Sequence, residues 1–260
     1  MGDCMEKIEL NRIYNMDCLD GMQEIEDKSI DLILCDLPYG TTSCSWDTII
    51  PLKPLWEQYE RIIKEISAIV LTASQPFSSA LVMSNPLFFK HEWIWIKNRG
   101  SNFANTVREP FKEHEHILVF SKGKWTYNKQ MQERTGAGLD RVKYDLNYRS
   151  KSDNYREFEG REKQQLSEMR IPSSWQKFNT DTSGLHPTIK PIALFEYLIK
   201  TYSNKGNLVL DNCMGSGTTA EACIRTGRQF IGFEKEKVYF DAAQIRIKKA
   251  QEQGKISEWF

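Results

Sequence analysis

The chain lacks the short patterns that mark a metal centre or a disulfide framework. Its six cysteines, at positions 4, 18, 35, 44, 213 and 223, form no Cys-x-x-Cys pair and have no histidine close by. They read as small buried thiols in a reducing compartment. No apolar run approaches the ~20 residues of a membrane span, and the stretch from Met1 to Leu10 carries acids without an apolar segment. Neither a membrane anchor nor a secretory leader is expected. A Gly-Lys-Ser/Thr step is missing too, which argues against a triphosphate ligand. Net charge is also absent: 35 Lys+Arg balance 35 Asp+Glu, which at first sight argues against a polyanionic partner.

The distribution of charge says otherwise. From Lys97 to Lys177 there are 17 Lys+Arg against 11 Asp+Glu, which leaves 18 basic and 24 acidic residues elsewhere. A basic middle on an acidic frame suits a polyanion-binding surface grafted on a core. With 260 residues, 40 % of them hydrophobic and 27 % charged, the composition is that of a soluble intracellular enzyme. The length accommodates one α/β domain with an elaboration, or one large and one small domain.

Two ordered stretches flank the polar middle. In the first, Ser29 to Asp36 and Ala68 to Ala73 read as buried parallel strands, with a helix over 54–66 between them and another over 76–83. Further strands are expected over 93–97 and 116–120. From Ser121 to Gly184 aliphatic residues are few, while Trp125, Tyr127, Tyr144, Tyr148, Tyr155, Phe158, Trp175 and Phe178 are scattered among charges and amides. A segment of that length without regular structure points to function, to partial disorder, or to both. Order returns with an amphipathic helix over 192–202, a strand over 208–211, a helix over 218–226, a strand over 229–234 and a last helix over 237–251.

The C-terminal stretch holds the most specific constellation. A strand delivers Asp211 into the loop Asn212-Cys213-Met214-Gly215-Ser216-Gly217, which opens a helix at Thr218. Gly215 and Gly217 let the backbone turn sharply and approach a ligand without a Cβ in the way. The next strand ends in Glu234, spaced as expected for an acid that hydrogen-bonds ribose hydroxyls. The spacing fits a nucleoside cofactor. In the N-terminal stretch Asp36-Leu37-Pro38-Tyr39-Gly40 follows a strand directly, at the carboxyl end where ligands of open α/β sheets bind.

Asp36 to Tyr39 resembles the Asp-Pro-Pro-Tyr motif of amino-methylating DNA methyltransferases, and Asp211 to Thr219 resembles the cofactor motif of that family. His186-Pro187-Thr188-Ile189-Lys190-Pro191 is similar to a third family element. Catalytic motif, recognition region and cofactor motif stand in the order of the circularly permuted β group. The resemblance spans about Ile8 to Ile247, with 121–184 matched by location alone. It implies a Rossmann-like α/β fold, a mostly parallel sheet with helices on both faces, and an irregular target-recognition insertion. The organisation it implies is a single domain with a catalytic half (1–120), a target-recognition region (121–184) and a cofactor-binding half (185–260).

What the resemblance implies for chemistry is specific. An exocyclic amine is a poor nucleophile because its lone pair is delocalised into the ring. The Asp36 carboxylate and the Leu37 carbonyl would accept its hydrogen bonds and turn the nitrogen toward the methyl donor, S-adenosylmethionine. Tyr39 would stack on a base flipped from double-stranded DNA, and Pro38 would stiffen the loop. Leu37 departs from the family's first proline; since the inferred contact is a backbone carbonyl, the change is compatible with the role. Asp17, with Cys18 beside it, would contact the cofactor's adenine amine, or else is a surface turn. Lys190 would pair with the cofactor's methionine carboxylate, or else is simply solvated. The cofactor set is thus Asp17, Cys18, Lys190, Asp211, Gly215, Ser216, Gly217, Thr218 and Glu234, with no metal.

Asp rather than the Ser usual in cytosine-N4 enzymes tilts the target toward adenine N6. The chain has no Pro-Cys step, which argues against attack on cytosine carbon 5. Cytosine-N4 transfer, a catalytically silent DNA-binding protein and a small-molecule methyltransferase stay open as alternatives. Trp46 and Asp47, which follow the catalytic loop, would line the base pocket, or Trp46 belongs to the core. Arg99, Asn102, Asn105 and Arg108 form a polar loop suited to phosphates. The resemblance leaves room for a homodimer and for a cognate restriction endonuclease, in the cytoplasm of a bacterial or phage-infected cell.

Overall fold

A strand covered on both sheet faces must be apolar throughout, with alternate residues entering different cores. In the computed structural model, which describes residues 8–42, 44, 46–143, 167–181 and 189–257, this governs the central strands. In chain order the elements begin with β1 (Arg12–Tyr14), α1 (Cys18–Gln23), β2 (Ile30–Asp36), α2 (Leu52–Ile62), β3 (Ile63–Ala73), α3 (Phe77–Ser84), β4 (Phe89–Ile96) and β5 (His114–Phe120). They continue with β6 (Gln132–Glu133), α4 (Ala137–Lys143), β7 (Met169–Arg170), β8 (Trp175–Lys177), α5 (Ile192–Tyr202), β9 (Leu208–Asp211), α6 (Thr218–Thr226), β10 (Gln229–Phe233) and α7 (Lys237–Ser257). Leu32 and Leu34 of β2 pack with Leu194, Leu198 and Ile199 of α5 on one face. Ile33 and Cys35 pack with Leu55, Tyr59 and Ile62 of α2 on the other. Each such aliphatic side chain is fully buried, worth about 1.5–3 kcal/mol relative to exposure.

Eight strands of the described residues form one sheet in the order β1-β10-β9-β2-β3-β5-β4-β8. Every adjacent pair is parallel except those made by β5, which runs antiparallel to both β3 and β4. The parallel centre puts the ends of β9 and β2 side by side, with Val209 opposite Leu32 and Leu210 opposite Ile33. Asp211 and Asp36 therefore leave the same sheet edge on neighbouring strands.

Two expectations fail locally. The helix expected over 54–66 ends at Ile62, and Ile63–Ser67 already belong to β3. Ile63 pairs with Ile30, and the Ser29 amide donates to the Ile62 carbonyl, so sheet pairing overrides helical periodicity. Ile66, read as part of the helix's apolar face, is exposed. Within the irregular middle, β8 adds a strand beside β4.

The described residues fall into two compact units, one drawn from 1–128 and 174–260, the other from 129–173. In the second, β6 and β7 pair antiparallel, Arg134 binds the Glu168 and Ser167 carbonyls, and α4 follows Gly136. Tyr144, Tyr148, Tyr155 and Phe158, like His186 to Thr188, lie outside the described residues. No described helix is long and apolar enough to cross a membrane.

Candidate active site

The carboxyl ends of the central strands open into a cavity of about 1250 Å³ lined by Asp36, Tyr39, Asp17, Gly215 and Glu234. Asp36, the last residue of β2, is in register with Thr72 of β3. That register lets the Thr72 hydroxyl donate to Asp36 Oδ1. The Tyr39 hydroxyl lies 2.7 Å from the same oxygen and 2.9 Å from Thr72 Oγ1. Lys190 Nζ takes the other oxygen, Oδ2, at 2.7 Å. Both oxygens of Asp36 are thereby anchored while the side chain stays 24 % exposed toward the cavity.

Tyr39 is held at ring and hydroxyl. Its ring stacks on Phe77 with centroids 5.5 Å apart and planes 25° from parallel. Burial and the Asp36 charge push its hydroxyl well above the ordinary tyrosine range, so it remains a donor. Leu37 buries its side chain in the core, anchoring the loop by packing where a proline would do so by its ring. Pro38 lines the cavity between them.

The turn after Gly40 is stapled by Asp47. Its Oδ1 accepts from the Gly40 amide and its Oδ2 from the amides of Thr41 and Thr42, at 2.7–2.9 Å. Burial opposes this charge, but the amides outweigh it and hold the carboxyl below its usual range. Asp47 lines the cavity, yet its carboxylate is spent on the loop. Trp46 also lines it, edge-on to Tyr239 at 6.1 Å, and belongs to neither core cluster.

On the β9 side, Asp211 is buried; its Oδ1 accepts from the Cys213 amide at 3.0 Å and its Oδ2 from the Thr219 hydroxyl. The loop beyond is set by Glu234, just past β10, whose Oε2 accepts from the Gly215 amide and Oε1 from the Glu236 amide, both at 2.7 Å. Gly215 has φ +53°, and a Cβ there would meet nothing within 4 Å, so this turn faces the open cavity. Gly217, at φ +86°, is different, because a Cβ would come within 3.1 Å of Ala243 on α7. Ser216 and Thr218 line the cavity, the Thr218 hydroxyl accepting from Arg246 at 3.0 Å. Asp17 caps α1 through the Leu19 amide at 2.9 Å, with its second oxygen 3.4 Å from Lys235. Cys18 hydrogen-bonds Cys213, and burial pushes the neighbouring Cys35 thiol up to about 12. These thiols stay protonated and are no nucleophiles.

Eight carboxylates against four lysines line this cavity, an excess that suits a ligand bearing positive charge. Carboxylate acceptors at Asp17 and Glu234, with Gly215 between, match the amine and hydroxyls of a nucleoside. The residues present fit S-adenosylmethionine, a nucleoside with a sulfonium centre.

Lys190, expected at the cofactor's carboxylate, is committed to Asp36 and, at 3.4 Å, to Glu115 Oε2. Its ammonium is buried, and two acids compensate it there. Thr72, Glu115 and Lys97, which pairs with Glu115, were not singled out from the sequence. Asn102 spends its amide on Lys112, Glu109 and Pro110 of its own loop, whereas Arg99, Asn105 and Arg108 are exposed. Among the described residues no three His, Cys, Asp or Glu side chains are placed so that they could hold a metal ion.

Asp211 gives a testable pH signature. Burial raises its carboxyl to about 7, against the donors Thr219, Cys213 and Cys35 and with help from the Asp36 charge. A raised acid favours the folded state while protonated, so this contribution is complete below about pH 4 and is lost as pH climbs through about 7. Urea unfolding from pH 5 to 8 should therefore show the stability of Asp211→Asn, relative to the native chain, increasing with pH. Parallel pH profiles for the two proteins would refute this assignment.

A family model described as DNA methylase, of the N6/N4 methyltransferase type, matches residues 30–245. The type II methyltransferase M1.MboII of Moraxella bovis is 30 % identical over 255 residues, which cover 92 % of this chain and 96 % of that one. The type II methyltransferase M.HpaI of Haemophilus parainfluenzae is 27 % identical, with 91 % and 74 % covered. Among solved structures, the M1.HpyAVI–SAM complex is 26 % identical with a TM-score of 0.60, over 90 % of this chain and 98 % of that one. The cytosine-N4-specific PvuII DNA methyltransferase, 16 % identical with a TM-score of 0.62 over 94 % and 90 %, shares the fold.

Proposed function

This chain belongs to the N6/N4 DNA methylase family and takes its methyl group from S-adenosylmethionine; on that footing we propose that its target is the exocyclic N6 of adenine in duplex DNA. The observation that carries this reading is the carboxylate of Asp36, fixed at both oxygens and open to the cavity. It stands where the cytosine-N4 group usually has serine, and a carboxylate is the stronger acceptor for an amine that must be drawn out of conjugation.

Bound S-adenosylmethionine supplies a methyl group on a positively charged sulfur. The rest is the work of the chain. Glu234 and Asp17 accept from the nucleoside, while Gly215 and Gly217 shape the turn that receives it. Asp36 and the Leu37 carbonyl accept from the two amine hydrogens and aim the nitrogen's lone pair. Holding reacting atoms ~3–3.5 Å apart in line is itself a large part of the rate enhancement. Tyr39, braced by Phe77, offers the platform for a base extruded at a cost of a few kcal/mol. Target recognition falls to the unit within 129–173 and its flanks in 121–184, where the basic surplus supplies phosphate contacts.

The test is mass spectrometry of nucleosides from duplex DNA incubated with the protein and isotope-labelled S-adenosylmethionine. Label in N6-methyladenine is expected, and sequencing of the modified base maps the site. Label in N4-methylcytosine would overturn the adenine assignment. DNA and cofactor binding without transfer would favour a silent binding protein.

A further inference from the structure

Behind Asp36 the structure buries three more charges in a row of alternating sign. Lys190 Nζ lies 2.7 Å from Asp36 Oδ2 and 3.4 Å from Glu115 Oε2, and Lys97 pairs with Glu115 Oε1. The side chains of Lys190, Glu115 and Lys97 are 6 %, 12 % and 7 % exposed. They come from distant places: Lys97 just after β4, Glu115 inside β5, and Lys190 just before α5. Each buried ion costs several kcal/mol in lost hydration, so a four-membered array is costly if a single pair would suffice.

The geometry shows what the longer row adds. A carboxylate that is the sole partner of a buried ammonium has its charge committed to that partner and is a weak acceptor for anything else. Glu115 relieves that commitment. Its buried Oε2 faces Lys190 Nζ at 3.4 Å, against 2.7 Å from Lys190 Nζ to Asp36 Oδ2, so the ammonium is divided between two acids. Lys97 holds the other oxygen and stops the Glu115 side chain from turning away. Burial opposes the charge on Glu115, but Lys190 and Lys97 outweigh it and keep the carboxyl below its ordinary range.

We propose that Glu115 is a positioning residue for methyl transfer: it shares the Lys190 ammonium with Asp36, so that Asp36 keeps acceptor capacity for the target amine as that amine arrives. The inference rests on the reading of Asp36 as the amine's acceptor. Glu115 itself touches neither base nor cofactor in this scheme. It acts through Lys190.

The experiment compares Glu115→Gln, Glu115→Asp and the double variant Lys97→Met/Glu115→Gln, which leaves no unpaired Lys97 should the single change impair folding. Single-turnover and steady-state methylation of duplex DNA carrying the mapped site are measured per cofactor-binding site, with Asp36→Ala run alongside. For Glu115→Gln and for the double variant, kcat should fall about 10- to 100-fold, the scale of a misplaced reacting group. The KM values for DNA and S-adenosylmethionine should stay within about twofold, because binding contacts are untouched. Glu115→Asp should recover part of the loss. Native kcat in the folded variants, or losses confined to KM or to thermal stability, would overturn the proposal and leave a structural ion pair. If Asp36→Ala is silent while those variants turn over normally, only the Glu115 role fails. If Asp36→Ala turns over normally, the Asp36 reading fails and the Glu115 role goes with it.

Discussion

Replacing Asp36 with alanine should reduce methyl transfer by about 10²- to 10³-fold or more, the range found when a preorganised polar partner of a transition state is removed. Affinity for S-adenosylmethionine, measured by calorimetry, should stay within the same order of magnitude. The separation follows from the site's layout. Asp36 ends β2 between Thr72, Tyr39 and Lys190, whereas Asp17 and Glu234, the proposed nucleoside acceptors, lie beyond β1 and β10. Folding should survive, because Lys190 retains Glu115 as a partner and no buried ammonium is orphaned. Turnover near the native rate would contradict the assigned role. A large loss of cofactor affinity would mean that Asp36 serves the sulfonium rather than the amine.

The reciprocal change is Glu234→Ala. One carboxylate here performs two tasks, holding the Gly215 and Glu236 amides at 2.7 Å and offering its remaining lone pairs to the cavity. Hydrogen bonds to a charged group contribute about 1.5–3 kcal/mol each. The dissociation constant for S-adenosylmethionine should therefore rise about 10- to 100-fold. Transfer at saturating cofactor should fall far less, since the amine's acceptors are unchanged. Glu234→Gln should lie between, because its amide oxygen still accepts from one backbone N–H. An unchanged Kd in the alanine variant would remove Glu234 from the cofactor site.

The elements that could be read from the chain are those whose signal is local. β2 and β9 are apolar runs ending in an acid, and α6 opens after a glycine turn, so Asp36 and Asp211 could be placed at strand ends and then found at adjacent ones. The first residues of β3 could not, because Ile62, Ile63 and Ile66 mimic a helix face until pairing with β2 decides the matter. β1 and β8, three residues each, are too short to show any period. Within the site, Thr72 reads as a strand interior residue, and its contact with Asp36 comes from register alone. Glu115 sits between His114 and His116 in a strand, while its partners Lys97 and Lys190 come from other segments of the chain. A buried polar contact between distant segments leaves no periodic trace in the sequence, so the pairing of Lys190 with Asp36 is visible in the structure alone.

The pairing of β1 with β10 also ties the site to segments far apart in the chain. Tyr14 aligns with Phe233, and the Glu234 amide donates to the Tyr14 carbonyl at 3.0 Å, so the Asp17 turn is brought to Glu234 by that pairing. A chain cut short before β10 would lose both the strand that aligns with Tyr14 and the Glu234 carboxylate that holds the Gly215 amide.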